Sequence, residues 1–188
     1  LTPRRRCCQS FFIFNRTKLS LALFSLPPDM AEKELDADAE SVECMAAAEV
    51  VAASKECAGM RIVDKREGKW SRTNAQDITT NWLTSGLKFD AIIANNDEMA
   101  IGAIQAMKAA NIDMATVVVG GVDATQDALA AMQAGDLDIT VFQDAAGQGS
   151  GALDAAIKLS KGEAVEQKVY IPFQLVTPAN VADFLAKN

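Results

Sequence analysis

From about residue 60 to the C-terminus, short β-branched runs alternate with stretches whose apolar residues recur at helical spacing. The runs predict strands at residues 60–63, 91–94, 116–120 and 139–142. Between the first two, Ala75, Ile78 and Trp82 fall at i, i+3 and i+7, which places them on one helical face, and Gly86 marks a stop. Met99, Ala103, Ile104 and Met107 give a second face. A third helix is expected over residues 125–134, ending at Gly135. A fourth is expected over 152–159, where Ala152, Ala155, Ala156 and Leu159 share a side before Gly162. Strands alternating with helices of this length make βαβ units, so the expected fold is α/β: a Rossmann-like parallel sheet with flanking helices.

Residues 1–45 do not continue the pattern. Arg4, Arg5 and Arg6 precede Phe11, Phe12, Ile13 and Phe14, and a second apolar run covers 19–26, the outline of a basic and then apolar export leader. Asn15, Arg16, Thr17 and Lys18 interrupt it, and no small-x-small cleavage site stands before Pro27 and Pro28. Residues 29–45 are acidic and alanine-rich, as a linker or a poorly anchored helix would be. The segment 1–45 is therefore expected to be a degenerate leader, a linker or an artefact of the start, and 46–188 the folded lobe.

Composition narrows the chemistry. The chain has 188 residues, 49% hydrophobic and 23% charged, enough apolar content for a packed core. It contains no run of 18 or more apolar residues that would predict a membrane-spanning helix. Histidine is absent, which removes Ser-His and Cys-His nucleophilic machinery and His-ligated zinc together. The net charge of −7 repels polyanions such as nucleic acid. The four cysteines, Cys7, Cys8, Cys44 and Cys57, form no CxxC pairs, so no zinc site is expected; their pairing and the redox compartment stay open.

An open parallel sheet binds its ligands beyond the carboxyl ends of the strands. Three polar residues fall there: Asn96 after the strand ending at residue 94, Asp123 after the one ending at 120, and Gln143 directly after 142. Amides and a carboxylate converging on one crevice suit a polyol, because each sugar hydroxyl both donates and accepts.

Three stretches then carry a resemblance: Ala94-Asn95-Asn96-Asp97-Glu98-Met99-Ala100-Ile101-Gly102-Ala103, Val118-Val119-Gly120-Gly121-Val122-Asp123-Ala124, and Thr140-Val141-Phe142-Gln143. They resemble the periplasmic sugar-binding proteins of ribose type, the type I periplasmic solute receptors of ABC importers. Phe142-Gln143-Asp144-Ala145-Ala146-Gly147-Gln148-Gly149 and Ile171-Pro172-Phe173-Gln174-Leu175-Val176-Thr177-Pro178 are similar to the branch that binds inositol and rhizopine. The resemblance implies a monosaccharide or cyclitol held without catalysis or cofactor by Asn96, Asp123 and Gln143, with Trp70 of Lys69-Trp70-Ser71-Arg72 stacked on the ring. Arg16, in Arg16-Thr17-Lys18, corresponds loosely to the family's sugar-binding arginine, without its glycine. The resemblance further implies a periplasmic location and an ABC permease as partner.

Members of that family have about twice this length in two lobes, so the chain is expected to be one lobe of a truncated receptor. The segment from about Asp144 to Gly162 then belongs to the other lobe and lacks its packing partner, leaving a half-cleft through which the chain could self-associate.

Other readings stand beside this one. Asn96 suits a helix cap, Asp123 a turn and Gln143 a strand end, each without a ligand. Gly147, Gly149 and Ala152 fit a GxGxxG/A dinucleotide fingerprint, which would make the chain an NAD(P)-dependent oxidoreductase, but in the wrong place in its unit. A lactose-repressor-type regulator shares the receptor fold but needs an N-terminal helix-turn-helix, for which no two-helix pattern is present. Trp82 is expected in the core and Trp70 in a polar loop.

Overall fold

The computed structural model describes residues 10–15 and 61–187. Its main sheet has four strands in the order β2-β1-β3-β4: β1 (Ser10–Asn15), β2 (Arg61–Glu67), β3 (Ala91–Ala94) and β4 (Val118–Gly120). β3 and β4 pair in parallel, and β5 (Thr140–Phe142) continues the same direction through bridges Gly120↔Ile139 and Asp123↔Phe142. β1 runs antiparallel to both of its neighbours, Phe12 lying opposite Lys65 on one side and Ile93 on the other. Expectation had placed residues 10–15 outside the folded lobe; they form a strand in the middle of its sheet, and the sheet is mixed there. β6 (Gln174–Val176) pairs antiparallel with β5.

The helices follow the apolar spacing. α1 (Arg72–Thr84) is capped by Ser71, whose hydroxyl accepts from Asn74 N–H, and it buries Ala75 and Trp82. The Trp82 indole N–H donates to Asp64 on β2 at 2.8 Å. That bond, with those from the Lys65 N–H and the Arg66 guanidinium, outweighs partial burial and holds the Asp64 carboxyl below its usual range. α2 (Asp97–Ala109) lies against the sheet with Met99, Ala100, Ala103 and Met107 inaccessible to solvent. α3 (Gln126–Gln133) buries Ala128, Leu129 and Met132 and ends at Gly135, whose φ of 79° is the left-handed conformation expected of a glycine stop. The predicted 116–120 strand begins later, because Met114–Thr116 form a 3-10 turn capped by the Asp113 side chain.

α4 (Ala145–Ser160) starts seven residues before the expected helix and has no buried residue. Leu153, Ile157 and Leu159 stand exposed on it. Its N-cap is Asp144, whose carboxylate accepts from Gly147 N–H at 2.8 Å. An acid therefore occupies the helix N-terminus where a dinucleotide's pyrophosphate would have to sit, and Gly147 and Gly149 are helical residues instead of a phosphate-cradling turn. The oxidoreductase reading loses its structural basis.

Two substitutions test this packing. A Cβ on Gly102 would collide with the backbone carbonyl of Arg72 and come within 3.1 Å of Gln76 N, so Gly102→Ala is expected to force α1 and α2 apart. Despite alanine's higher helix propensity it should cost about 2 kcal/mol in urea unfolding. Thr79 is wholly buried on α1 and, among the described residues, its hydroxyl has no hydrogen-bond partner. Thr79→Val keeps the shape and removes the unsatisfied group, so it should raise stability by about 1 kcal/mol in the same measurement.

Candidate ligand-binding crevice

The carboxyl ends of β3, β4 and β5 lie side by side, and each is followed by one of the polar residues singled out in the sequence. After β3 comes Asn96, buried and extended as the N-cap of α2. Its Oδ1 accepts from Met99 N–H at 3.0 Å, and its Nδ2 reaches the carbonyl of Trp70 at 3.5 Å. Asn96 is thus a cap, and its amide N–H is what it can offer to a hydroxyl.

Trp70 sits in a tight turn between β2 and α1, where Ser71 N–H donates to the Gly68 carbonyl at 3.0 Å. Lys69 and Trp70 both have positive φ, 54° and 59°, a left-handed pair that non-glycine residues adopt at a cost. Trp70 is 39% exposed, against 5% for Trp82, so the two tryptophans divide between surface and core as expected.

After β4, the backbone turns through Gly121 and Val122 to Asp123 and Ala124, whose φ values of 112° and 52° are again left-handed. The loop is tied to its neighbours throughout. Gly121 N–H donates to the Ile139 carbonyl, Asp123 N–H to the Val141 carbonyl, and Asp97 N–H to the Val122 carbonyl. After β5, the Gln143 side-chain amide donates to Asp123 Oδ1 at 3.3 Å, which brings these two candidates together. Burial pushes the Asp123 carboxyl up from its ordinary value. The structure thus joins Asn96 to Trp70, and Asp123 to Gln143, along one edge of the sheet. Arg16 lies outside the described residues, as do all four cysteines.

Sequence reading missed Asp97 beyond its helix-opening role. The residue is wholly buried: its Oδ1 accepts from the Thr140 hydroxyl at 2.7 Å and its Oδ2 from Thr125 N–H at 2.8 Å. Burial raises its pKa to about 7, with the Asp123 charge adding to the rise and the bonds from Thr140 and Thr125 opposing it. A carboxyl raised in this way binds its proton better folded than unfolded. Its contribution to stability is full below the unfolded value and is lost as pH rises toward about 7. No sequence signal marks this residue, because Thr140 lies 43 positions away. A second missed feature is the cluster at the helix starts, where Arg72 pairs with Glu98 at 2.7 Å and Asp127 at 2.6 Å, and both acids raise its pKa. Among the described residues no cluster of His, Cys, Asp and Glu could hold a metal ion.

Comparison with known proteins gives this edge a context. A family model described as a periplasmic binding protein domain matches residues 31–164. A Rhizobium meliloti protein named "Putative rhizopine-binding protein" is 64% identical over 138 residues, covering 73% of this chain and 45% of that protein. The ribose import binding protein of Haemophilus influenzae is 34% identical over 116 residues, covering 62% of this chain and 39% of its own length. Among solved structures, an ABC transporter solute-binding protein from Bacillus halodurans with bound myo-inositol superposes with a TM-score of 0.68 at 42% identity, over 75% of this chain and 47% of that one. A Caulobacter myo-inositol binding protein bound to myo-inositol gives a TM-score of 0.56 at 37% identity, over 60% and 39%. The chain spans about half the length of the relatives it matches. By a domain match over most of its residues, and with a type I receptor fold to support it, the chain belongs to the periplasmic binding protein family.

Proposed function

We propose that this chain is a non-catalytic, solute-binding lobe that recognises a cyclitol or monosaccharide through Trp70, Asn96, Asp123 and Gln143. The observation that carries the reading is the concentration of backbone strain at two of these four residues. Trp70 and Asp123 both hold left-handed conformations, and both do so beside hydrogen bonds to the other two candidates. Strain of this kind persists where the surrounding structure over-determines it, and it gathers at binding sites.

The chemistry of the set suits a polyol. A carboxylate has about four acceptor positions, so Asp123 can accept from Gln143 and from a hydroxyl together, while Gln143 Oε1 accepts from the neighbouring hydroxyl. Asn96 supplies an N–H donor, and the exposed Trp70 ring offers a flat apolar face to the C–H face of a ring. The rhizopine and myo-inositol named for the relatives favour a cyclitol over other polyols.

The further parts of the reading follow the family. The chain works in the periplasm and presents its ligand to an ABC permease, with closure of two lobes as the step that the ligand drives. The described residues build one wall of the crevice, and a ring held by that wall alone stays in contact with water, which favours low affinity. Exposed Leu153 and Ile157, four residues apart on one side of α4, give the chain an apolar patch for self-association.

Calorimetric titration with myo-inositol, ribose and galactose, with tryptophan fluorescence followed in parallel, tests the proposal. Myo-inositol should bind with a dissociation constant above about 1 μM and change the fluorescence, and Trp70→Ala should abolish that change while the circular dichroism is kept. Asp123→Asn and Gln143→Ala should each weaken binding by about tenfold or more, the loss expected when a hydrogen-bonded hydroxyl is left without its partner. Nanomolar binding would contradict a one-walled site, and silence toward all three ligands in a folded chain would remove the reading. Light scattering at rising concentration should show the mean mass increasing if α4 mediates self-association.

A further inference from the structure

The loop over residues 121–125 carries Asp123 and Ala124, both left-handed, and it is bracketed by a single residue, Asp97, through its backbone N–H on one side and its carboxylate on the other. Just before Asp123, the Val122 carbonyl accepts Asp97 N–H at 2.8 Å. Just after it, Thr125 N–H donates to Asp97 Oδ2 at 2.8 Å. Between these, Ala124 N–H donates at 3.1 Å to the Thr140 oxygen, and the Thr140 hydroxyl in turn donates to Asp97 Oδ1 at 2.7 Å. The close approach needs a glycine: a Cβ on Gly121 would strike Asp97 Oδ1 and lie 3.3 Å from the Cβ of Ala100.

We infer that Asp97 is a positioning residue of the crevice: its ionised carboxylate holds the 121–125 loop in the left-handed conformation that presents Asp123 to the ligand, a role that rests on the polyol-binding reading above only for its last step. The need for the ionised form follows from the partners. Thr125 N–H can only donate, and the Thr140 oxygen already accepts from Ala124, so its proton is directed at Asp97. Ionised, the carboxylate accepts both bonds at full strength; a proton on either oxygen removes the charge that strengthens them and weakens the hold on Thr125 and Thr140. Among the described residues, the groups around Asp97 are few. The loop presents Asp123, whose charge opposes ionisation, and β5 presents the uncharged Thr140. On its own helix, Glu98 pairs with Arg72 of α1, and Arg72 also binds Asp127 at the start of α3. The N-terminal end of α2, where Asp97 sits, favours the anion. With burial placing its titration near neutrality, the loop's anchor is lost within an accessible pH range.

The test needs no ligand at its first stage. In ¹⁵N–¹H spectra of the intact chain, the amides of Thr125 and Ala124 should shift together with a midpoint near neutral pH, and Asp97→Asn should abolish that transition. Thr140→Val should raise the midpoint by removing a bond to the ionised form, and Thr140→Ser should restore it; these variants serve where Asp97→Asn fails to fold. At the second stage, myo-inositol affinity should be about tenfold weaker at about pH 5.5 than at about pH 8 in the wild type, and nearly independent of pH in Asp97→Asn. Loop amides that do not titrate near neutrality would overturn the inference. So would a transition that persists unchanged in Asp97→Asn, because it would then belong to Asp123. Absence of binding at every pH overturns the function proposed above, and the amide titration then decides the role of Asp97 by itself.

Discussion

The close approach of α2 to everything around it is the constraint on which the rest depends. Nine of its thirteen residues are buried, packed against the sheet, α1, α3 and the loop after β4. Small residues make this geometry reachable. Gly102 lets the Arg72 carbonyl come close on one side, and Ala100 meets Gly121 on another. A helix so enclosed fixes its own N-terminus, and with it Asn96 and Asp97, at the carboxyl end of β3. Packing on its several sides holds the helix, and the residues at its N-terminus, in place.

That packing lets the molecule keep features that lower its stability. Four non-glycine residues with positive φ, Lys69, Trp70, Asp123 and Ala124, lie along one edge of the sheet, and a wholly buried carboxyl lies directly beneath. Each is unfavourable alone, by an amount on the order of 1–3 kcal/mol for a strained backbone position. Each is held by several bonds to elements that are themselves well packed. The cost and the candidate binding residues coincide in space, which is the usual arrangement where recognition and stability compete.

Much of this was legible in the sequence. Helix faces and stops read directly, because Ala75, Ile78 and Trp82 share a face and Gly86, Gly135 and Gly162 take positive φ after their helices. The strand at Ala91–Ala94 was found in full, since its apolar run is bounded on both sides by polar residues. Asn96, Asp123 and Gln143 could be placed at strand ends because strand ends are local features. The network around Asp97 was not, since it joins residues 28 and 43 positions apart and neither partner is unusual for its own element. The place of residues 10–15 was missed for a different reason: a basic stretch followed by aromatic residues has the composition of a leader whether or not it pairs with a sheet.

Strand β1 has a consequence for how the molecule assembles. It lies between β2 and β3, yet residues 16–60 separate it from β2 in sequence. The βα units from residue 61 onward can gather through contacts that are short in sequence, but they then leave two facing strand edges without partners until residues 10–15 return between them. Closure of the sheet is therefore the non-local and slow part of folding. While it is pending, the gap presents open backbone donors and acceptors on both sides, a state in which any other extended segment competes with β1 for the same ladder.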